Sequence, residues 1–193
     1  PNDPQKLSAK YVFASPSVDR LLGGDSIGRD VLSRVIYGAR ISLGVGLASV
    51  GIGITLGALL GIISAYFGGK FDLGVQRIVD AFLAFPAIIL GLTIVAVLGS
   101  SVFNVVLALV FVLTPGSVRT VRAQALALKE MDYVLAARAV GADSWRIVLR
   151  HLLPNCMAIF IILFTITLGL AIIVESSLSF LGVGIPPNVP SWG

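Results

Sequence analysis

Charge is what this 193-residue chain has least of. Asp, Glu, Lys and Arg together make up 12% of it, against roughly a quarter in a soluble domain. That scarcity excludes an ordinary water-soluble globule. It equally excludes a disordered or nucleic-acid-binding basic chain, although the formal net charge is +4. Cysteine occurs once, at Cys156, so there is no internal disulfide and the residue says nothing about redox compartment. Histidine also occurs once, at His151, with no Cys or carboxylate at ligand spacing, which gives no metal site and makes it a polar anchor at the end of a span. Groups for catalysis are missing too. Gly68-Gly69-Lys70 is followed by Phe71 and lacks the upstream spacing of a phosphate-binding loop. No nucleophile stands with a base, so the chain reads as a non-enzyme.

What remains is apolar sequence in blocks: 56% of residues are hydrophobic and the mean hydropathy is +0.98. Residues 41–69 and 81–118 carry no charge, and 151–193 carry only Glu175 besides neutral His151. A bilayer core takes about 20 apolar residues per helix, and four stretches qualify, about 41–66, 79–99, 102–119 and 156–176. They are continuously apolar, without the alternation of barrel strands. The fold class is therefore all-α, a polytopic transmembrane helical bundle with four visible spans. The division is an extracytoplasmic segment 1–40 and a transmembrane domain 41–193. No starter Met or signal peptide is visible at Pro1, and both ends, Pro1 and Gly193, read as cut from a longer protein.

Within 1–40, the turn-rich stretch 23–30 leads into 31–37, whose apolar residues recur at helical spacing and predict an amphipathic helix on the membrane surface. In the first span Ser49, Gly53, Gly57, Gly61 and Ala65 fall every four residues, on one helix face. Small residues at that spacing let two helices approach closely in lipid, so Gly53, Gly57 and Gly61 predict a packing seam. Gly68-Gly69 marks a tight turn. Arg77 and Asp80 can pair on one helix face, and Pro86 predicts a kink inside the second span. Gly99-Ser100-Ser101 is a short turn.

Residues 119–155 hold six basic and three acidic side chains, which makes this loop cytoplasmic by the positive-inside rule. Counting back through the spans puts 1–40 outside. The stretch Tyr133–Val140 is rich in strong helix formers; Gly141 ends that helix. Asp143 or Ser144 then caps a second helix, Trp145 through Leu153, and Pro154-Asn155 closes it. The first helix is lined with alanine, and such a surface suits another protein's groove.

These residues carry a resemblance. Leu135-Ala136-Ala137, then Gly141, then Leu153-Pro154 resembles the EAA loop of ABC importer permeases. The flanking Tyr133–Ala142 and Arg150–Asn155 look like the second-permease (C-type) subunit of the dipeptide, oligopeptide and nickel branch. Gly28-Arg29-Asp30-Val31-Leu32-Ser33-Arg34, Phe67-Gly68-Gly69, Phe85-Pro86, Leu178–Gly184 and Ser191-Trp192-Gly193 are similar to that branch as well. Two positions depart: Leu135 stands where the motif has Glu, and His151 where it has Ile.

The resemblance implies a type I importer permease with six spans, of which the first and last lie outside this chain. It implies that Tyr133, Ala136, Ala137, Gly141, Ala142, Leu153 and Pro154 form the coupling loop that docks on an ATPase subunit. It implies a homologous permease partner, two ATP-binding cassette subunits and an extracytoplasmic substrate-binding protein, in the cytoplasmic membrane of a prokaryote. ATP and Mg would be bound by the ATPase, with no cofactor in this chain. The cargo would be a peptide or a related small solute such as a nickel chelate. Glu175, alone among apolar residues, is a candidate for the pathway; a structural hydrogen bond at the helix end is the competing reading. The alternative function, an ion-coupled secondary transporter, needs intramembrane carboxylates, and only Glu175 is available.

Overall fold

The computed structural model describes residues 3–186 and 188–193. It is helical, and the isolated bridge Gly24–Asp30 is the extended pairing among the described residues. After an N-terminal loop with one 3-10 turn, Ala9–Tyr11, come α1 (Val31–Phe67), α2 (Gly69–Leu83), α3 (Ala87–Leu98), α4 (Val102–Lys129), α5 (Asp132–Ala139), α6 (Ser144–Ile147), a π turn (Val148–Leu152), α7 (Leu153–Asn155) and α8 (Met157–Phe180).

Helices α1, α4 and α8 are long and apolar enough to cross a membrane. The first expectation to change is the surface helix at 31–37. It is the opening of α1, a single helix of 37 residues that runs through residue 40 without a break. No glycine with positive φ or proline interrupts 31–67, so nothing forces a separate element there.

The second expectation, a kink at Pro86 in the span 79–99, is met in place and exceeded in size. The chain breaks at Ala84–Pro86, and α2 and α3 meet at 89°. Pro86 stands just before α3 with φ −57° and ψ 132°, outside helical ψ, and the residue before a proline disfavours helical backbone. Helix α3 has 12 residues, or about 18 Å of length, so crossing a bilayer core of about 30 Å takes α2 and α3 together, as one broken span.

The core follows the small-residue stripe. Helix α1 packs along α4, and a Cβ at Gly57 would stand 1.8 Å from Ser117 Oγ and 2.9 Å from Thr114 O. At Gly61 it would stand 2.7 Å from Val118 O. Ser117 and Thr114 hydroxyls both reach the Gly53 carbonyl, at 3.5 and 3.3 Å. Helix α8 closes the third side, with Ala171 buried against Val50 and Ile54 of α1. The bundle has two ends. One carries the N-terminal loop, the α3–α4 turn and the segment after α8, tied by Gln5 Nε2 to Asn188 O at 3.0 Å and Ser100 Oγ to Val183 O at 3.0 Å. The other carries α5 to α7.

Candidate functional site

The loop end of the bundle is built from residues that leave α4 and return to α8. Asp132 lies in the first turn of α5, where a carboxylate suits the helix dipole. Gly141 ends this arm with φ +79°, a left-handed conformation that costs other residues about 1–2 kcal/mol. The Asp143 side chain then accepts from Trp145 N at 3.0 Å, capping α6. The second helix does not stop as an isolated piece. It widens into a π turn in which Leu153 N–H bonds Val148 O, then continues through Pro154 toward α8. A proline ring collides with the carbonyl four residues back, here Arg150, and the wider turn makes room for it.

One face of this helix pair is sealed to the bundle. Val134, Ile147, Val148 and Leu152 are buried with Ala58, Ile62 and Ala65 of α1 and with Val121 and Ala125 of α4, and Ala137, Ala142 and Leu153 pack on that cluster. Aromatic groups extend the join to the last turn of α1. Phe67 meets Trp145 edge-on at 5.5 Å, and Arg138 lies over Tyr66 at 5.8 Å. Lys129 Nζ donates to Ala65 O at 3.2 Å. The other face is open: Val140 is 85% exposed, Leu149 56% and Trp145 51%.

The structure thus separates the residues read from the sequence. Tyr133, Ala136, Gly141 and Pro154 are exposed, whereas Ala137, Ala142 and Leu153 are half-buried against the bundle. Val140, Trp145 and Leu149, the most exposed of the apolar groups here, escaped the sequence reading of the site. Their signal was available, because a polar, charged loop is an unusual place for them.

Two ion pairs sit beside this site and tie α2 to α4. Arg122 makes a two-pronged contact with Asp72, 2.6 Å on each prong, and Arg119 binds Asp80. The expected Arg77–Asp80 pair is replaced: the break at Pro86 turns α2 across α4, and Asp80 faces the arginine there. Glu175 is fully buried. Its two oxygens accept from Ser42 Oγ at 3.0 Å and Ser179 Oγ at 2.9 Å, and it lines none of the described cavities.

Residues 53–193 match the family of binding-protein-dependent transport system inner membrane components, a stretch that takes in the seam, both ion pairs and the whole helix pair. The chain belongs to that family. A putative peptide transport system permease protein of Brucella suis biovar 1 is similar to it, 44% identical over 190 residues, which is 98% of this chain and 64% of that protein. A glutathione transport system permease protein of Pectobacterium atrosepticum is 42% identical over 178 residues, 92% of this chain and 59% of that protein. The chain therefore spans about three fifths of the length of these relatives. Among solved structures, an inward-facing MetNI methionine ABC transporter superposes with a TM-score of 0.69 at 24% identity, covering 80% of this chain and 77% of that one. That likeness gives the fold. As an inner membrane component, the chain carries its apolar helices across the cell membrane.

Proposed function

We propose that the chain is the transmembrane permease subunit of an ATP-driven, binding-protein-dependent importer, and that its helix pair α5–α6 is the surface on which the ATPase subunit docks. The observation that carries this reading is the two-faced build of the pair. Val134, Ile147, Val148 and Leu152 fix one face to α1 and α4, while Val140 and Leu149 stand free on the other and Trp145 is half exposed beside Phe67. Exposed apolar groups of this size on a rigid support mark a protein contact.

The excess of basic residues in 119–155 supports a cytoplasmic position for this end, which puts the N-terminal loop and the segment after α8 outside. Tyr133, Ala136 and Gly141 then belong to the contact itself. Ala137, Ala142 and Leu153 act from behind it, passing displacement of the pair to the α1–α4 core. The chain would work with a homologous permease subunit, two ATP-hydrolysing subunits that hold ATP and Mg, and an extracytoplasmic binding protein. ATP binding would draw the two docking surfaces together and open the spans outward. The relatives' names support a peptide or glutathione-like cargo.

Site-directed cross-linking tests the dock. Cysteine at Val140, in a variant with Cys156→Ser and in the assembled complex, is expected to cross-link to the ATPase subunit. Cysteine at Phe103 near the opposite end is expected not to. Equal yields from both positions would overturn the assignment.

A further inference from the structure

The hydrogen bonds around Glu175 form a two-armed chain. On one arm Trp192 N–H donates to Ser42 Oγ at 3.1 Å, and Ser42 donates to Glu175 Oε2 at 3.0 Å. On the other, Ile185 N–H donates to Ser179 Oγ at 3.1 Å, and Ser179 donates to Glu175 Oε1 at 2.9 Å. A carboxylate only accepts, so it turns both hydroxyl protons toward itself and leaves both oxygens' lone pairs facing the backbone N–H groups. The residues so held belong to the strap that follows α8, residues 181–186 and 188–193. Ser42 is in α1 and Ser179 in α8, so one carboxylate joins three pieces of chain.

The strap's tip lies close to α1 as well. Trp192 Nε1 donates to Val35 O at 3.0 Å, and a Cβ at Gly38 would stand 3.0 Å from the Ser191 carbonyl carbon. Trp192 and Gly193 of the strap also wall an open cavity of about 550 Å³, together with Ile173 and Ser176 of α8 and Ile88 of α3. The cavity is shallow and open along one side rather than enclosed. Glu175 is absent from the lining.

We propose that Glu175 is a positioning residue: through Ser42 and Ser179 it holds the strap in place, and thereby fixes the wall that Trp192 gives to this cavity for a solute that Glu175 never touches. The cavity's part in handling solute rests on the importer reading above; the two-armed latch does not.

The test uses the assembled full-length complex in lipid nanodiscs and proteoliposomes, with amide hydrogen exchange read at Ile185 and Trp192 and uptake measured with a di- or tripeptide and with glutathione. Glu175→Ala is expected to speed exchange at both amides by about tenfold, because each serine acceptor loses the hydrogen bond that orients it, with the interior amides of α8 unchanged. Glu175→Gln, which keeps the shape and one acceptor, gives an intermediate rate. Ser42→Ala is expected to free Trp192 alone and Ser179→Ala to free Ile185 alone. In uptake, Glu175→Ala and Ser42→Ala raise KM about tenfold and leave the maximal rate within about twofold, because the wall moves and the ATPase coupling does not. Unchanged exchange in Glu175→Ala, or identical responses to the two serine variants, overturns the latch. Faster exchange with unaltered KM overturns the positioning role and leaves the importer reading standing. If the wild-type complex takes up neither solute, the importer reading fails for these cargoes, and the exchange data still decide the latch.

Discussion

Gly141 occupies a left-handed turn with no atom within 4 Å of where a Cβ would sit, so conformation and surface can be tested apart there. Gly141→Ala is expected to lower stability by about 1 kcal/mol through backbone strain. Gly141→Asn costs less, since asparagine tolerates positive φ, yet both variants keep the docking face small. Gly141→Asp adds charge and bulk on that face and is expected to abolish uptake while membrane insertion, read by reporter fusion, stays normal. A second residue-scale prediction concerns pH. Burial alone would raise the Asp25 carboxyl, but hydrogen bonds from Arg29 N, the Arg29 guanidinium and Ile27 N outweigh it and hold it below the usual carboxylate range. A depressed carboxyl stabilises the folded loop at pH above its unfolded value of about 3.9, and that contribution fades as the pH falls through the lower folded value. The 13–25 hydrogen bond between Phe13 N and Asp25 O is therefore expected to open in acid. Protease sensitivity of the N-terminal loop should rise below about pH 4, and Asp25→Asn should raise it already at neutral pH.

At the scale of elements, the α1–α4 seam and the α2–α4 ion pairs make different demands. At Gly57 an added Cβ meets the Ser117 side chain and the backbone of α4 together. Gly57→Leu is expected to cost about 1–3 kcal/mol by overpacking, visible as a lower midpoint in detergent thermal unfolding, with partial recovery in Gly57→Ala/Ser117→Ala. The two ion pairs differ by exposure. Arg119 and Asp80 side chains are 61% and 42% exposed, whereas Arg122 and Asp72 are 28% and 15% exposed. An exposed pair is worth about 0–1 kcal/mol, so Asp80→Ala should barely move the midpoint. Removing Arg122 strands a half-buried carboxylate, at a cost of about 1–3 kcal/mol, and the exchange Asp72→Arg/Arg122→Asp should restore part of it. Proline shows why elements were only partly legible. Pro86 and Pro115 look alike in sequence, each set among apolar residues. Pro86 ends one helix and precedes another at an exposed elbow, where Phe85 is 59% exposed. Pro115 is buried inside α4, where Thr114 and Ser117 bind the Gly53 carbonyl of α1, and tertiary packing holds the helix together across it. No local signal separates the two cases.

For the whole molecule, the residues legible in sequence are those whose partners are near in the chain or whose spacing repeats: the four-residue stripe of α1, the Gly141 turn and the Asp143 cap. Residues whose partners lie far away could not be read. Glu175 stood out by its isolation among apolar neighbours, but its Ser42 partner is 133 positions distant, and nothing local points to it. The same holds for Trp192, bound to Val35 across 157 positions. The bundle links its two ends through α1, and that helix is longer than the membrane requires. Its 37 residues make a rod of about 55 Å. Phe67 at its last turn touches Trp145 of the docking pair, and Ser42 and Val35 near its first turns hold the strap. One unbroken helix is thus shared by the docking pair and the strap: were Phe67 to tilt, no proline or left-handed residue between it and Val35 would absorb the displacement.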